Sequence, residues 1–342
     1  MRPQSPDDVF DLLDMNITSA VLGAAMELGL FWVLAEQPSG AAELAQALEI
    51  PKNRCQYMLQ LLERVGLVEP VAEGYAVSPT AKAAILEAYS RETWAFLAGE
   101  SRERIPAVCN LAANIRSPES VWILQEITPP DYLEQLKQSA GEARRFTRML
   151  YEIHLPLADE IAATVDMQGV ERMMDLGGGS GVVSHALLRR NPDLTSVVVD
   201  LPTVCQAGRE IAVENGMEDR ISYHEADFVQ DDLPTGFDLV LDCDVGAYNM
   251  GVLPKMRVAL NPGGRLVIVD QFAPAPGIVP PSYVYWAFLA SMANPDFALS
   301  TVEQAQELLE GAGFRFISET GLSPSEARRW SRDWTLVQAS RE

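Results

Sequence analysis

From residue 170 to the C-terminus the chain alternates short β-branched runs with helical stretches, and this alternation limits the possible folds most. VERMMDL (170–176) reads as a strand running into the glycine run Gly177-Gly178-Gly179-Ser180-Gly181, and 182–191 reads as a helix. Further strand signals lie at Thr195–Val199, ending on Asp200, at Ile221–Tyr223, and at Phe237–Leu241, ending on Asp242. Helical stretches follow at Thr203–Asn215 and Met250–Leu260, the latter stopped by Asn261-Pro262-Gly263-Gly264. Arg265–Asp270 (RLVIVD) is continuously apolar in its middle, the pattern of a strand covered on both faces. Thr301–Gly311 reads as a helix, and Phe314–Ser318 and Trp334–Ala339 as strands. The pattern predicts an α/β fold with a doubly wound sheet. Ligands of such sheets bind beyond the carboxyl ends of the strands.

The first hundred residues read differently. Ser5-Pro6-Asp7-Asp8 is a helix start: a cap, a proline at the first helical position and two acids at the positive end of the dipole. Apolar residues follow at helical spacing from Val9 to Leu28, and Gly29 interrupts them. Ser39 is expected to cap a short helix through Leu48, and Pro51 to open another that Gly66 stops. Leu67–Ser78 holds two short apolar runs around Glu73-Gly74, a hairpin. Three helices and a β-wing make a winged helix. Residues 91–115 read as one amphipathic helix, Pro118, Pro129 and Pro130 as breaks, and Asp131–Lys137 and Gly141–Leu157 as further helices. The expected domains are 1–100, a linking block of helices at 101–165, and the α/β unit at 166–342.

A winged helix raises the question of DNA. Residues 1–100 carry 6 Lys/Arg against 14 Asp/Glu, and the whole chain of 342 residues has a formal net charge of −22. Nucleic-acid affinity comes from basic side chains neutralising phosphates, so the unit is expected to pack against another copy of itself, with no nucleic-acid partner. The acidic N-terminus has no signal core, and no run approaches about 18–20 uninterrupted apolar residues. Cysteines 55, 109, 205 and 243 contain no C-x-x-C pair, and there are only three histidines. A reduced, cytoplasmic chain with no membrane partner and no metal site is expected.

The glycine run fits neither common phosphate loop. Counted from Gly177, the sixth position is Val182, so G-x-G-x-x-G fails, and G-x-x-x-x-G-K-[ST] is absent. Asp175, leading the glycines, would repel a pyrophosphate and suits the cationic amino-acid end of S-adenosylmethionine. Asp200, ending the next strand, can accept from two ribose hydroxyls. Asp227-Phe228 offers a carboxylate for an adenine amino group and a ring to stack on it.

With these residues in view, the chain resembles, over nearly its whole length, the S-adenosylmethionine-dependent O-methyltransferases of the plant caffeate and bacterial antibiotic type. AMELGLFWVLAEQPSGAAELAQAL, RRFTRML, MMDLGGGSG, VVVDLPTV, HEADFV, ALNPGGRLVIVDQFAP and ANPDFALST carry the resemblance. It implies a winged-helix dimerisation domain, a Rossmann-like class I methyltransferase domain, an intertwined homodimer, and S-adenosylmethionine as cofactor with S-adenosylhomocysteine as product. It implies that Gly177 and Gly179 line the cofactor, that Asp200 holds the ribose, that Asp227 and Phe228 hold the adenine, and that Leu201 and Cys243 make further cofactor contacts. Phe146, Met149 and Asn294 fall at its substrate positions.

The chain departs from this family at the catalytic base. The family's segment after the fourth strand carries a histidine; here it is Asp242-Cys243-Asp244-Val245-Gly246-Ala247-Tyr248-Asn249. A phenol of pKa about 10 is a poor nucleophile at neutral pH unless a base takes its proton. Tyr248 or Asn249 lies nearest the lost base, and Asp270 corresponds to the acid that steadies it. Three readings remain open. One is methyl transfer to carbon or to an already ionised oxygen. Another uses a base from elsewhere, with His154 the best candidate and His185 and His224 structural. In the third, the fold no longer methylates and uses the cofactor for decarboxylation, hydroxylation or pericyclic chemistry. The segment 271–297 is rich in proline, aromatics and methionine, and Tyr283, Tyr285, Trp286, Phe288 and Met292 are candidates to line a site for a flat apolar ring. The expected substrate is an aromatic, polyketide-like or tetrapyrrole-like small molecule.

Overall fold

The computed structural model describes residues 3–128, 132–323 and 332–342. Pro129, Pro130 and Asp131 lie outside the described residues. The chain forms two compact units, Met1–Cys109 and Asn110–Glu342.

In the first unit, α1 (Pro6–Leu28) opens with a capping box: Ser5 Oγ accepts from the Asp8 N–H and the Asp8 carboxylate accepts from the Ser5 N–H at 2.8 Å. Gly29, in the left-handed region, ends it. There follow α2 (Leu30–Glu36), α3 (Ala41–Ala47), α4 (Lys52–Arg64), the hairpin β1 (Val68–Val71) and β2 (Gly74–Val77), and α5 (Arg91–Glu103). On α4, Cys55, Met58, Leu59 and Leu62 repeat at helical spacing and are all buried, which is why this stretch forms a helix and which face it turns inward.

Three details differ from the sequence reading. Ser39 pairs through its backbone with Tyr75, and Gly40 is the cap of α3, its N–H donating to the Glu43 carboxylate at 3.1 Å. The expected long helix at 91–115 is three pieces: α5, Ile105–Val108 and Leu111–Asn114. The break follows from Pro106 and from Asn110, which takes a positive φ. And α1, at 23 residues, is long and apolar enough by composition to cross a membrane, because Asp7, Asp8, Asp11 and Asp14 all sit in its first half. Val9, Phe10, Leu13 and Ile17 on it are exposed within the single chain.

The second unit contains α6 (Tyr132–Gln138) and α7 (Ala140–Thr164) and then the strand–helix alternation. The strands are β3 (Arg172–Leu176), β4 (Thr195–Asp200), β5 (Ile221–Glu225), β6 (Phe237–Cys243), β7 (Leu260–Asp270), β8 (Phe314–Leu322) and β9 (Trp334–Arg341). The helices between them are α8 (Val182–Arg190), α9 (Pro202–Glu214), α10 (Leu253–Ala259), α11 (Val284–Ala293) and α12 (Val302–Gly311). The sheet order is β5-β4-β3-β6-β7-β9-β8, parallel from β5 to β7, with β9 antiparallel to both neighbours. The sheet is therefore mixed, because its last two strands return as a hairpin-like pair.

Strand alternation sends successive side chains to opposite faces. Met173, Leu239, Leu241, Val267 and Val269 pack with Leu157, Ile161 and Leu187 of α7 and α8. Met174, Val240, Leu266 and Ile268 pack on the other face with Met256 of α10 and Leu309 of α12. Each such fully buried side chain contributes about 1.5–3 kcal/mol. Arg148 of α7 clips Glu214 of α9 at 2.6 Å, and Arg144 clips Glu210 at 2.6 Å.

Candidate active site

The chain runs β3, β4, β5 in one direction along the sheet and then crosses to β6 and β7 on the other side of β3. That reversal opens a crevice at the carboxyl end of β3, and the glycine run stands in it. Gly177, Gly179 and Gly181 all have φ between 55° and 73°, a region closed to most side chains. A Cβ on Gly177 would lie 2.7 Å from Val245, and one on Gly178 would lie 2.4 Å from the Asp175 carboxyl carbon. A Cβ on Gly179 would meet only Asp200 Oδ2, at 3.9 Å. The loop is packed shut on two sides and open at Gly179, a place for a ligand to approach bare backbone.

Asp175 sits beneath this loop. It is 2% exposed, and Ser184 Oγ donates to its carboxylate at 2.6 Å. Burial pushes its pKa up to about 6 against the pull of Ser184. The expectation that it faces a cationic ligand gives way to a propping role under Gly178. Asp200, at the end of β4, reaches the loop: it accepts from the Gly179 N–H at 2.9 Å and the Leu201 N–H at 2.7 Å. Burial raises its pKa to about 6, with those two hydrogen bonds opposing.

Asp227 and half-buried Phe228 follow β5. Lys137 Nζ of α6 reaches Asp227 Oδ2 at 3.0 Å and holds its pKa below the usual value. Sequence reading gave Lys137 no part in the site. It also passed over Gly208 in α9, where a Cβ would lie 2.7 Å from the Gly179 carbonyl oxygen and 2.3 Å from the Tyr223 ring. An isolated glycine inside a helix pattern was the available signal. Acids, a stacking ring and bare backbone, with no Lys or Arg in the loop, fit an adenosyl sulfonium and do not fit a pyrophosphate. Half-buried Cys243 ends β6; burial and the surrounding acids raise its pKa, so it is a neutral thiol.

The ends of β6 and β7 bring three carboxyl groups together. Asp242 is fully buried; one oxygen accepts from the Tyr248 N–H at 3.0 Å and the other has no partner among the described residues. Burial and the charge of Asp270 raise its pKa. Asp270 is pushed up to about 7 by burial and by Asp244, with the Gln271 N–H at 2.7 Å and the neighbouring Tyr248 opposing. Tyr248 is 3% exposed, and burial with Asp270 nearby raises its own pKa, so it is a neutral phenol. From α7, His154 reaches Asp244 Oδ2 through Nε2 at 3.1 Å and the Leu150 carbonyl through Nδ1 at 3.0 Å.

The expected substrate residues are not all in one place. Trp286 stands on α11, with the rings of Tyr283 and Phe297 at 5.0 and 5.5 Å, and is 41% exposed. Met292 on the same helix is buried, and Asn294 caps its end with Oδ1 accepting from the Asp296 N–H. Met149 is buried on α7. Phe146 packs instead with Leu136, Val204 and Leu201, near the Asp200 corner, because α7 turns it toward α6 and α9.

The family model of the O-methyltransferase domain matches residues 110–315, and that of the O-methyltransferase dimerisation domain matches 10–86. The chain belongs to the O-methyltransferase family. Among its relatives is 3-hydroxy-5-methyl-1-naphthoate 3-O-methyltransferase of Streptomyces sahachiroi, 32% identical over 256 residues, 73% of this chain and 72% of that one. Among solved structures, the mitomycin 7-O-methyltransferase MmcR superposes with a TM-score of 0.83 at 22% identity, covering 98% of this chain and 97% of that one. Human N-acetylserotonin methyltransferase in complex with S-adenosylmethionine superposes with a TM-score of 0.77 at 20% identity, covering 99% and 98%. This O-methyltransferase is an S-adenosylmethionine-dependent enzyme, with α1 forming part of its dimerisation domain.

Proposed function

We propose that this methyltransferase modifies a small, largely apolar aromatic, polyketide-like or tetrapyrrole-like molecule, working as a homodimer, with Asp270 and Tyr248 doing the proton work that the resemblance assigns to a histidine. When bound, S-adenosylmethionine supplies an activated methyl group on a sulfonium. In this reading Asp200 accepts from the ribose hydroxyls, Asp227 accepts from the adenine amino group, and Phe228 stacks on the base. Gly177, Gly179, Leu201 and Cys243 line the remainder. Asp175 keeps the loop in shape from below.

The observation that carries the reading is Asp270: a partly exposed carboxyl at a strand end, with the Asp244 carboxylate and the Tyr248 phenol beside it and its pKa raised to about 7. A base works best when its pKa lies near the operating pH. An acceptor hydroxyl then gives its proton to Asp270 as its oxygen takes the methyl group, and Tyr248 steadies the carboxylate. An acceptor that is already ionised, or that reacts at carbon, needs only alignment at near-attack distance.

The test is turnover of Asp270→Asn with methyl-labelled S-adenosylmethionine and a panel of phenols and naphthols. Turnover is expected to fall by about 10²-fold or more, with S-adenosylhomocysteine affinity unchanged. The wild-type rate profile should show an ionisation near pH 7, and the variant should lack it. Wild-type turnover in the variant rejects Asp270 as the base. Substrate consumed without label in the product rejects methyl transfer itself.

A further inference from the structure

We infer that Lys137 determines specificity for the nucleobase: by holding the Asp227 carboxylate it fixes the acceptor that tells adenine from a base lacking the exocyclic amine. The inference rests on the reading above, in which Asp227 meets that amine.

Helix α6 has only seven residues, too few to persist by local propensity. Tertiary contacts hold it, and three of them lead to the nucleoside end of the crevice. Leu136, 5% exposed, packs with Ala143 and Val204, with Phe146 and Leu201 alongside. Thr203 Oγ1, in the first turn of α9, donates to the Leu136 carbonyl oxygen at 2.6 Å. Lys137 then spans to Asp227 at 3.0 Å. The helix is thus tied to the corner after Asp200 and to the corner after β5, the two places assigned to ribose and base.

The carboxylate of Asp227 is held but not used up. Oδ2 takes Lys137, and Oδ1 accepts from the Val229 N–H at 3.2 Å. Each carboxylate oxygen has two lone-pair sites, so one remains on each for a ligand N–H. An amine on the base can donate there. A carbonyl oxygen in its place can only accept, and meets a fixed anion with repulsion. Discrimination of this kind depends on the acceptor being both ionised and oriented; a carboxyl this exposed is ionised at neutral pH in any case, and the Lys137 ammonium supplies the orientation. Without it, Oδ2 loses this partner, and the side chain, 30% exposed, is held at Oδ1 by the Val229 N–H.

The test compares S-adenosylhomocysteine with S-inosylhomocysteine, which carries an oxygen where adenine has its amine, by calorimetry on the full chain. Wild type should prefer the adenine compound. Lys137→Met should weaken S-adenosylhomocysteine by about tenfold and leave S-inosylhomocysteine unchanged, and Lys137→Arg should restore the preference. Equal weakening of both ligands, or of neither, overturns the inference. Asp227→Asn separates the layers. If it leaves the wild-type preference intact, the adenine reading of Asp227 fails, and this inference with it. If it abolishes the preference while Lys137→Met keeps it, only the role of Lys137 fails.

Discussion

His154 and Asp244 share a proton-rich contact: Nε2 of the histidine meets Oδ2 of the aspartate at 3.1 Å while Nδ1 is already committed to the Leu150 carbonyl at 3.0 Å. A carbonyl oxygen and a carboxylate both only accept. Below its raised pKa the ring therefore carries both protons, and an imidazolium has no lone pair to receive a third. Sequence reading made His154 the leading substitute for the family's base; the contact makes it instead a tie between α7 and the loop after β6. That loop carries Val245, which packs against Gly177, and Tyr248, which lies beside Asp270.

The first prediction follows from this tie. Burial works against the His154 charge, but the hydrogen bond and charge of Asp244 outweigh it, and the pKa is raised above 6.5. A histidine whose folded pKa exceeds its unfolded value adds stability that is complete below about pH 6.5 and disappears as pH rises through the folded pKa. His154→Gln should lose thermal stability relative to wild type at pH 6 and much less at pH 9. Equal loss at both values would show a neutral histidine and leave its place as a base open.

Much of the molecule was legible because it depends on local pattern. The alternating strands, the glycine loop and the acids at Asp200 and Asp227 all sit where period and punctuation put them. Ser39 misled because a serine before a helix is a good cap, while its backbone had a better use in pairing with Tyr75. Asp175 misled because sequence cannot say whether a strand-end acid points up toward a ligand or down toward Ser184. Lys137 was invisible for a stronger reason. Its partner lies 90 positions along the chain, and the packing of Leu136 and its hydrogen bond from Thr203 bring the two together.

His185 provides a second prediction, at acid pH. It is fully buried on α8, neither ring nitrogen has a hydrogen-bond partner among the described residues, and Tyr151 meets its ring edge-on at 5.9 Å. Burial, helped by the charge of Arg189, pushes its pKa down to about 4. The folded state therefore resists protonation more than the unfolded chain does. Stability is lost as pH falls from about 6.5 toward about 4, by roughly 3 kcal/mol from this group. In denaturant titrations at pH 7.5 and 4.5, His185→Leu should lose less stability than wild type on acidification. A parallel fall in both proteins would assign the acid sensitivity elsewhere.

Gly208 gives a third prediction, on the loop itself. It lies inside α9, where alanine is ordinarily the better residue by about 1 kcal/mol. Here a Cβ would stand 2.7 Å from the backbone oxygen of Gly179 and 2.3 Å from Tyr223. The tyrosine ring is itself anchored, its hydroxyl donating to the Ser180 carbonyl at 3.1 Å. The glycine loop would have to shift. Gly208→Ala should weaken S-adenosylhomocysteine binding by about tenfold or more and should also destabilise the fold. Unchanged affinity by calorimetry would mean that the loop tolerates the shift and that its geometry is not set from α9.

Asp200 offers the most direct measurement on the cofactor site. Its two oxygens accept from the N–H groups of Gly179 and Leu201, at 2.9 and 2.7 Å, so the side chain both shapes the loop and presents an acceptor to the crevice. Alanine removes both functions, whereas asparagine keeps an acceptor for one N–H and puts a donor where a ribose hydroxyl is expected. A charged hydrogen-bond partner is worth about 1.5–3 kcal/mol. Asp200→Ala should therefore weaken S-adenosylhomocysteine by about tenfold or more, and Asp200→Asn should lie between alanine and wild type. The loss should grow when the 2′-deoxy analogue is replaced by the ribose compound, because only the ribose uses the full acceptor. If all three proteins bind the two ligands alike, Asp200 serves the loop alone and the ribose must be held by another group.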